Sequence, residues 1–362
     1  MDPTAPDPTV RTVPGPDEQL VRVEQLQEIA SQLYQKVGVS KEDADLAAGL
    51  EAETDLRGVP SHGTRPLPGY VRRIQEGKTN PRPKIQVVRE GPSFALIDGD
   101  RGLGHLAGTR AMQTAISKAR QTGIAAVAVR NSTHFGAAAK YAMQALEHGM
   151  VGFSVSSSSP GLAPYGGASR VIGNHPFAYA VPAKEERPLV LDMACGVSAW
   201  GRVGTMRMYG KTLADNWVLD KEGRPTNDPA QAHVLLPFGG AKGYGLTLVM
   251  DALSSLLPFG VSTCHRGTPE FAGQTWSSHF FYAIHIESFI PLDEFGTEMD
   301  RTIRTVRESK RAEGVGRIYL PGEIEWLKKE AWSRTGIPIH RDHLNSLAKL
   351  ADELGVKVPW RT

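Results

Sequence analysis

"SFALIDGDRGLGHLAGTRAMQTAISKARQTGIAAVAVR", residues 93–130, decides the fold class. "SFALID" has strand character, "HLAGTRAMQTAISKARQTG" is a helix closed by Gly123, and "IAAVAVR" is an apolar strand of the fully buried type. The loop between strand and helix carries Gly102, Gly104 and Gly108, close to a dinucleotide-binding fingerprint. That fingerprint also needs an acidic residue at the end of the next strand, where it meets a ribose hydroxyl. Here the strand ends at Arg130. A doubly wound dinucleotide unit is therefore not expected. The glycines fit better a loop whose backbone approaches a neighbour closely.

Working outward, "HFGAAAKYAMQALEHG" is expected as a helix and "MVGFSVSSSS", "HPFAYAVP", "PLVLDMA" and "HFFYAIHI" as strands, with a helix over "YGLTLVMDALSSLL". This predicts an α/β (α+β) core over 90–290, a mixed sheet without a Rossmann unit. The flanks read differently. "VRVEQLQEIASQLYQKVG" is a helix ending at Gly38, Ser40 caps a second that stops near Gly58, and "LPGYVRRIQEG" is a short third. The chain beyond 293 is polar and mostly helical. Residues 19–89 and 291–362 are thus expected to form one helical domain built from both chain ends. The Pro- and Asp-rich stretch 1–18 is expected to be a disordered tail without the apolar segment of a secretion signal.

The composition is that of a globular protein, with 40% hydrophobic and 22% charged residues. A net charge of +2 implies no nucleic-acid partner, and no apolar run approaches a membrane span. Two cysteines, Cys195 and Cys264, make no disulfide framework, so a cytoplasmic protein is expected.

The chemistry concentrates in a few loops. "DLRGVPSHGTRPLPGY" (55–70) sets a hydroxyl (Ser61), an imidazole (His62) and a guanidinium (Arg65) in a stiff, glycine-flanked turn. There is no nucleophile-elbow pattern around Ser61, so a Ser–His pair that fixes a proton donor's tautomer is the better reading. "RNSTHFGAAAK" (130–140) places His134 at a helix entrance, and Gly136, Ala137 and Ala138 leave the first amides open to an anion or simply to a capped helix. "LPFGGAKGYG" (236–245) is not a Walker A loop, because Gly243 follows Lys242; it is an anion contact or a tight turn with a solvated lysine. Asp192 ends a buried strand and must be paired or neutralised there, by orienting a histidine or by capping a helix. His340 and His343 have no third ligand nearby, and no metal site is read. An imidazole with a hydroxyl, arginines and anion-binding loops suit an enzyme for a carboxylate substrate and a phosphate-bearing cofactor. A phosphate-handling transferase is the rival class, but it would need a Ser or Thr where Gly243 stands.

"DLRGVPSHG", "RNSTHFGAAAKYA", "IGNHPFAYAVP", "LVLDMACG", "LPFGGAKGYGL" and "RIYLPGE", in this order, resemble the malate/L-lactate dehydrogenase family that lacks a Rossmann fold. The resemblance spans about 20 to 330. It implies an NAD(P)H-dependent homodimer that interconverts a 2-oxo acid and a 2-hydroxy acid, or alternatively reduces a cyclic imine carboxylate. NAD and NADP are both left open, since no acidic residue or arginine can be set against the ribose 2′-position. The resemblance makes His62 the proton donor with Ser61 and Asp192 as relay partners, and some members give that role to the residue at His134. It places Phe135, Gly136, Ala137, Ala138, Ala183, Lys184, Lys242, Pro321, Gly322 and Glu323 with His134 at the cofactor. Ser159 and Arg65 are assigned to the substrate. The family's usual carboxylate-gripping arginine falls on Pro66, so Arg65 is expected to reach over by one residue; Arg57, at a helix end, is expected to be solvated. "DMACG" and "GNHP", in place of the usual "DMATS" and "GTNP", bring Cys195 and His175 into site-lining turns.

Overall fold

The computed structural model describes residues 10–266, 268, 270 and 277–360. Residues 1–9 of the expected tail lie outside the described residues. From residue 10 the segment is packed rather than loose. Val10 is buried, Trp332 donates its indole N–H to the Arg11 carbonyl at 2.8 Å, and β1 (Glu18–Val21) follows.

The helical layer forms as its pattern requires. In α1 (Val23–Lys36) the apolar face is Leu26, Ile29, Ala30 and Leu33; Gly38 then turns the chain with φ 93°. Ser40 caps α2 (Lys41–Leu56) by accepting the Asp43 amide at 3.1 Å. Its buried face is Ala44, Ala47, Ala48 and Ala52, interrupted by Glu51 and Asp55. A 3₁₀ turn, Pro60–His62, leads into α3 (Leu67–Gln75). These elements share one apolar core with residues from α10 (Glu323–Thr335), β14 (Ile337–His340) and α11 (Arg341–Leu354). β14 pairs antiparallel with β1, so the two chain ends are hydrogen-bonded together.

The sheet elements are β2 (Gln86–Gly91), β3 (Phe94–Asp98), β4 (Ile124–Ser132), β5 (Met150–Ser156), β6 (Pro160–Leu162), β7 (Ile172–Gly173), β8 (Phe177–Val181), β9 (Leu189–Met193), β10 (Val218–Leu219), β11 (Pro225–Thr226), β12 (Val234–Leu235) and β13 (Ser277–His285). Seven strands form the main sheet in the order β2-β3-β4-β13-β5-β8-β9, and five short ones form a second in the order β11-β10-β12-β6-β7. In the main sheet only β3 and β4 run parallel, joined by α4 (Gly104–Thr122); every other pairing is antiparallel. The expected strands are present, while the second sheet and β2 were not anticipated: the two- and three-residue strands leave no periodicity to read, and β2 is exposed along almost its whole length, without an alternating apolar face.

The glycines of "GLGHLAG" serve close packing. A Cβ on Gly104 would meet the Thr133 carbonyl oxygen at 2.3 Å, and one on Gly108 would meet the Tyr141 ring at 2.7 Å. The start of α4 is thereby pressed onto the loop that carries His134. The expected helix over residues 134–148 is shorter than read: α5 covers only Ala139–Ala142, followed by a 3₁₀ stretch to His148. The cause is Gly136, at φ 74°, which bends the chain before a helix can start.

The remaining helices are α6 (Trp200–Met208), α7 (Ala241–Asp251), α8 (Leu257–Phe259) and α9 (Leu292–Glu308); a π-helical segment, Ala252–Leu256, joins α7 to α8. Among the described residues no helix is long and apolar enough to cross a membrane.

Gly-to-Ala in a helix normally stabilises by about 1 kcal/mol. At Gly104 the sign should reverse. Gly104→Ala is expected to lose about 1–3 kcal/mol through overpacking, read as a lower urea midpoint at unchanged slope.

Candidate active site

The turn Pro60–His62 is held on both sides. Asp55, on the last turn of α2, accepts the Thr64 amide at 2.9 Å and the Thr64 hydroxyl at 2.6 Å. Gly201 in α6 lets that helix come against the other side, since a Cβ there would lie 2.9 Å from the Ser61 Cβ. Within the turn, Ser61 Oγ lies 2.9 Å from His62 Nδ1, so the expected hydroxyl–imidazole pair is formed.

His134 sits opposite. The two imidazole rings stack with centroids 5.8 Å apart. Tyr70, from α3, donates its hydroxyl to His134 Nδ1 at 2.5 Å, and the Gly136 amide donates to the same nitrogen at 3.3 Å. With Nδ1 accepting, the proton of a neutral ring belongs on Nε2. Burial lowers the pKa of both rings, and the charge on Lys140 adds to this; His62 falls to about 4. Both imidazoles are therefore neutral near pH 7.

Asp192 projects from β9 into the same cleft. Its Oδ2 accepts the Ala139 amide at 2.9 Å, the first amide of α5. The anion at that helix entrance is thus the protein's own carboxylate. No hydrogen bond joins Asp192 to either imidazole, so it shares the cleft with His62 without being its direct partner. Burial pushes it up to about 6, opposed by the Ala139 amide and the Arg57 charge.

These groups line one cleft with a volume of about 1380 Å³. Drug-sized ligands occupy roughly 300–1,000 Å³, so there is room for a dinucleotide and a small acid together. Ser61, His62, His134, Gly136, Ala137, Ala138, Ser159, Asp192, Pro321 and Gly322 all line it. Phe135 does not; it lies in the core, stacked on Tyr141 and on His279. The Pro321–Gly322 turn is tied to β9 by the Val190 amide, which donates to the Pro321 carbonyl at 3.0 Å. Glu323 points away, buried on Arg317 and the Leu320 amide. Ala183 and Lys184 also lie outside the cleft: Asp300 of α9 gathers the amides of Lys184, Glu185 and Glu186, and the Lys184 ammonium pairs with Asp293. Lys242 is exposed on the first turn of α7 and does not line the cleft; the glycines before it serve a tight turn, as the solvated-lysine reading had it.

Arg65 is the main correction. Its guanidinium donates to the Thr205 hydroxyl at 2.6 Å and lines a separate, smaller cavity behind the turn. The turn places residue 65 on the face opposite His62, and the one-residue shift is not made good. Arg57, expected to be solvated, is instead buried, stacked on Trp326 with 4.3 Å to the ring centroid, and lines the cleft. Its Nη1 has no hydrogen-bond partner among the described residues.

Sequence reading also missed the polar cluster under the cleft. Glu51 accepts the Tyr34 hydroxyl at 2.6 Å and lies 3.5 Å from His105. The buried Lys140 ammonium has no hydrogen-bond partner. Burial raises the Glu51 carboxyl to about 8 and lowers Lys140 to about 8. The available signal was the i,i+4 pair Glu51/Asp55 on the alanine face of α2, where carboxylates can only be buried. Tyr70 gave no such signal, since an aromatic on an amphipathic helix usually belongs to the core.

Comparison with known proteins identifies the family. The family described as malate/L-lactate dehydrogenase matches residues 21–348. The chain belongs to that family and is an oxidoreductase. It is 41% identical to the malate dehydrogenase of Pyrococcus horikoshii over 94% of this chain and 98% of the relative. It is 35% identical to the L-sulfolactate dehydrogenase of Methanocaldococcus jannaschii, covering 94% and 98%. The crystal structure of malate dehydrogenase from Entamoeba histolytica superposes with a TM-score of 0.90 at 30% identity, covering 95% of this chain and 100% of that one.

In the ligand-free protein His62 should titrate near pH 4, well below the ordinary value of about 6.5. Histidine ring NMR between pH 3.5 and 8, with His62→Gln to assign the signal, measures this; a midpoint above 6 would contradict the burial argument. Tyr70→Phe leaves His134 Nδ1 with only the weak Gly136 bond and should cost about 1–2 kcal/mol in kcat/KM.

Proposed function

We propose that this oxidoreductase interconverts a 2-oxo acid and a 2-hydroxy acid in the cleft, with His62 as the proton carrier. The observation that carries the reading is the Ser61–His62 pair facing the Tyr70–His134 pair across one cleft, 5.8 Å between rings, with Asp192 projecting between the same walls. A nicotinamide cofactor would supply or accept the hydride when bound. The cleft fits such a group: its volume exceeds what a small acid needs, Gly136, Ala137 and Ala138 present a floor of small residues beside His134, and Gly322 adds a wall where a Cβ would strike Val190.

His62 begins neutral. In oxidation it can take the proton of the substrate hydroxyl as the carbonyl forms. In reduction the substrate's carboxylate, brought close, raises the imidazole pKa and lets it load a proton; His62 then gives that proton to the carbonyl oxygen. Ser61 holds Nδ1 and so directs Nε2 at the substrate. Asp192, tied to Ala139 on the same cleft wall, is the carboxylate we set toward the protonated ring. Arg57, with an unpartnered nitrogen and a wall of Trp326 behind it, is the cation we set against the substrate carboxylate, and Ser159 adds a hydroxyl on the same cleft surface.

The two-domain reading rests on the separate helical and sheet cores, and the non-Rossmann reading on the main sheet, where β3–β4 is the one parallel pair among the described strands. A homodimer is supported by Leu248, Val249, Leu256 and Leu257, four large apolar side chains exposed along the α7–α8 rod. Two unbridged cysteines favour the cytoplasm.

Turnover of a panel of 2-oxo acids and cyclic imine carboxylates, each with NADH and NADPH, tests the assignment. At least one 2-oxo acid should be reduced; reduction of imines alone would replace the reading. His62→Ala should lose at least about a hundredfold in turnover, since a positioned general acid contributes roughly 10²–10⁴-fold, and a larger loss in His134→Ala would move the role there. Arg57→Lys should raise KM, lowering kcat/KM by about 1.5–3 kcal/mol.

A further inference from the structure

The cavity behind the catalytic turn has a volume of about 240 Å³. Arg11, Arg65 and Lys328 line it; Arg11 is paired with Glu18, and the other two meet no free carboxylate among the described residues. Arg65 spends one nitrogen on Thr205 and the Gly201 carbonyl, and has no ion pair among the described residues. Lys328 lies across Gly58, where a Cβ would sit 2.8 Å from its ammonium, and makes no ion pair among the described residues either. Two acids share the cavity wall, and both are engaged. Glu18 receives the Arg11 guanidinium, the Gly15 amide at 2.8 Å and the Tyr209 hydroxyl at 2.8 Å. Asp55 receives both Thr64 donors through Oδ2, and its buried Oδ1 has no partner. Burial pushes Asp55 up to about 7, so it need not stand as a fixed negative charge. The other ionisable groups are quiet: burial lowers His343 to about 3, and His340 spends Nδ1 capping α11. The remaining wall is apolar, from Met208, Trp332, Ile337 and Ile339.

We propose that this cavity is a binding site for a small organic carboxylate, separate from the catalytic cleft, with Arg65 and Lys328 gripping the carboxylate and the Trp332–Ile339 wall taking a short hydrocarbon tail. Gly58, Pro60, Thr205 and Lys328 line both the cavity and the cleft. Arg65 follows Thr64 directly, and Thr64 anchors the turn that presents Ser61 and His62. An anion that draws Arg65 off Thr205 therefore acts on the turn, and so on the orientation of His62. The site is regulatory in effect, and its occupant belongs to the same chemical class as the substrate proposed above.

Calorimetric titration of the full chain with butyrate, a carboxylate without a 2-oxo group, tests the site independently of any turnover. Binding should be saturable, weakened at least tenfold in Arg65→Met and in Lys328→Met, and retained in Arg57→Met. Met208→Trp, which fills the cavity from its rim, should give the same loss, and thermal melts of each variant establish that it is folded. Saturating butyrate should also change kcat rather than only KM in the parent enzyme, and Met208→Trp should remove that change. No butyrate binding by the parent, undiminished binding in folded Arg65→Met and Met208→Trp, or a loss confined to Arg57→Met overturns the proposal. Purely competitive inhibition by butyrate overturns the coupling to His62.

Discussion

Thr64 donates both its amide and its hydroxyl to one carboxylate oxygen of Asp55, and the site depends on that pair of bonds. Asp55 lies in the last turn of a rigid helix; Thr64 follows the turn that carries the His62 imidazole. Gly63 between them tolerates no side chain, because a Cβ would lie 2.2 Å from Asp55 Oδ1. His343, from the last helix, lies 3.1 Å from the Thr64 hydroxyl on the far side. A three-residue 3₁₀ turn has little stability of its own. It is positioned because a buried carboxyl holds it, and a buried carboxyl persists only where its hydrogen bonds are made. Placing His62 and burying Asp55 are therefore one requirement.

The same economy governs charge around the cleft. Imidazoles near a buried ammonium stay neutral, carboxyls without full pairing drift toward neutrality, and at the α5 entrance the Ala139 amide is taken by Asp192. What is left to attract an anionic substrate is a small set of guanidinium and ammonium groups on the walls. The cluster of Glu51, His105 and Lys140 sits below, with orphaned donors and acceptors in one place. Such groups are costly to bury unless function retains them. I,i+4 acids on α2 and the positive-φ Gly136 are what bring them together.

Much of this was legible in the chain. The strands of the main sheet and the long helices have periodicity, the caps at Ser40 and the stops at Gly38, Gly58 and Gly123 have mechanisms, and the Ser61–His62 pairing is local. The absent acidic residue after Arg130 argued against reading the glycine-rich loop as a dinucleotide fingerprint, and in the structure Gly104 and Gly108 are in close packing contacts. What escaped reading depends on direction. Arg57 and Arg65 differ by eight residues, yet only a three-dimensional turn decides which lines the larger cleft. Lys184 and Lys242 sit in glycine- or proline-bounded loops that look alike whether they face a ligand or solvent. Tyr70 becomes functional only because His134, from a distant loop, meets its hydroxyl. The shortened α5 follows from a single backbone angle at Gly136 that no propensity scale weighs.

The pairing of β1 with β14 carries a further consequence, for the order in which the molecule can be completed. The first helix pair can form locally as the chain emerges, but its apolar face stays open until Ile337, Ile339, Leu344 and Leu347 arrive to cover it. Closing so large a loop is slow, because the entropy of the whole intervening chain is lost before the contacts form. The α/β unit between them can fold first and hold the ends near each other. The turn bearing His62 leans on His343, so it gains its last support only when the final helix docks. A chain cut short before that helix would keep most of its sheet and yet leave the His62 turn without its last support, which makes the carboxyl-terminal segment a late checkpoint on the setting of that turn rather than an appendage.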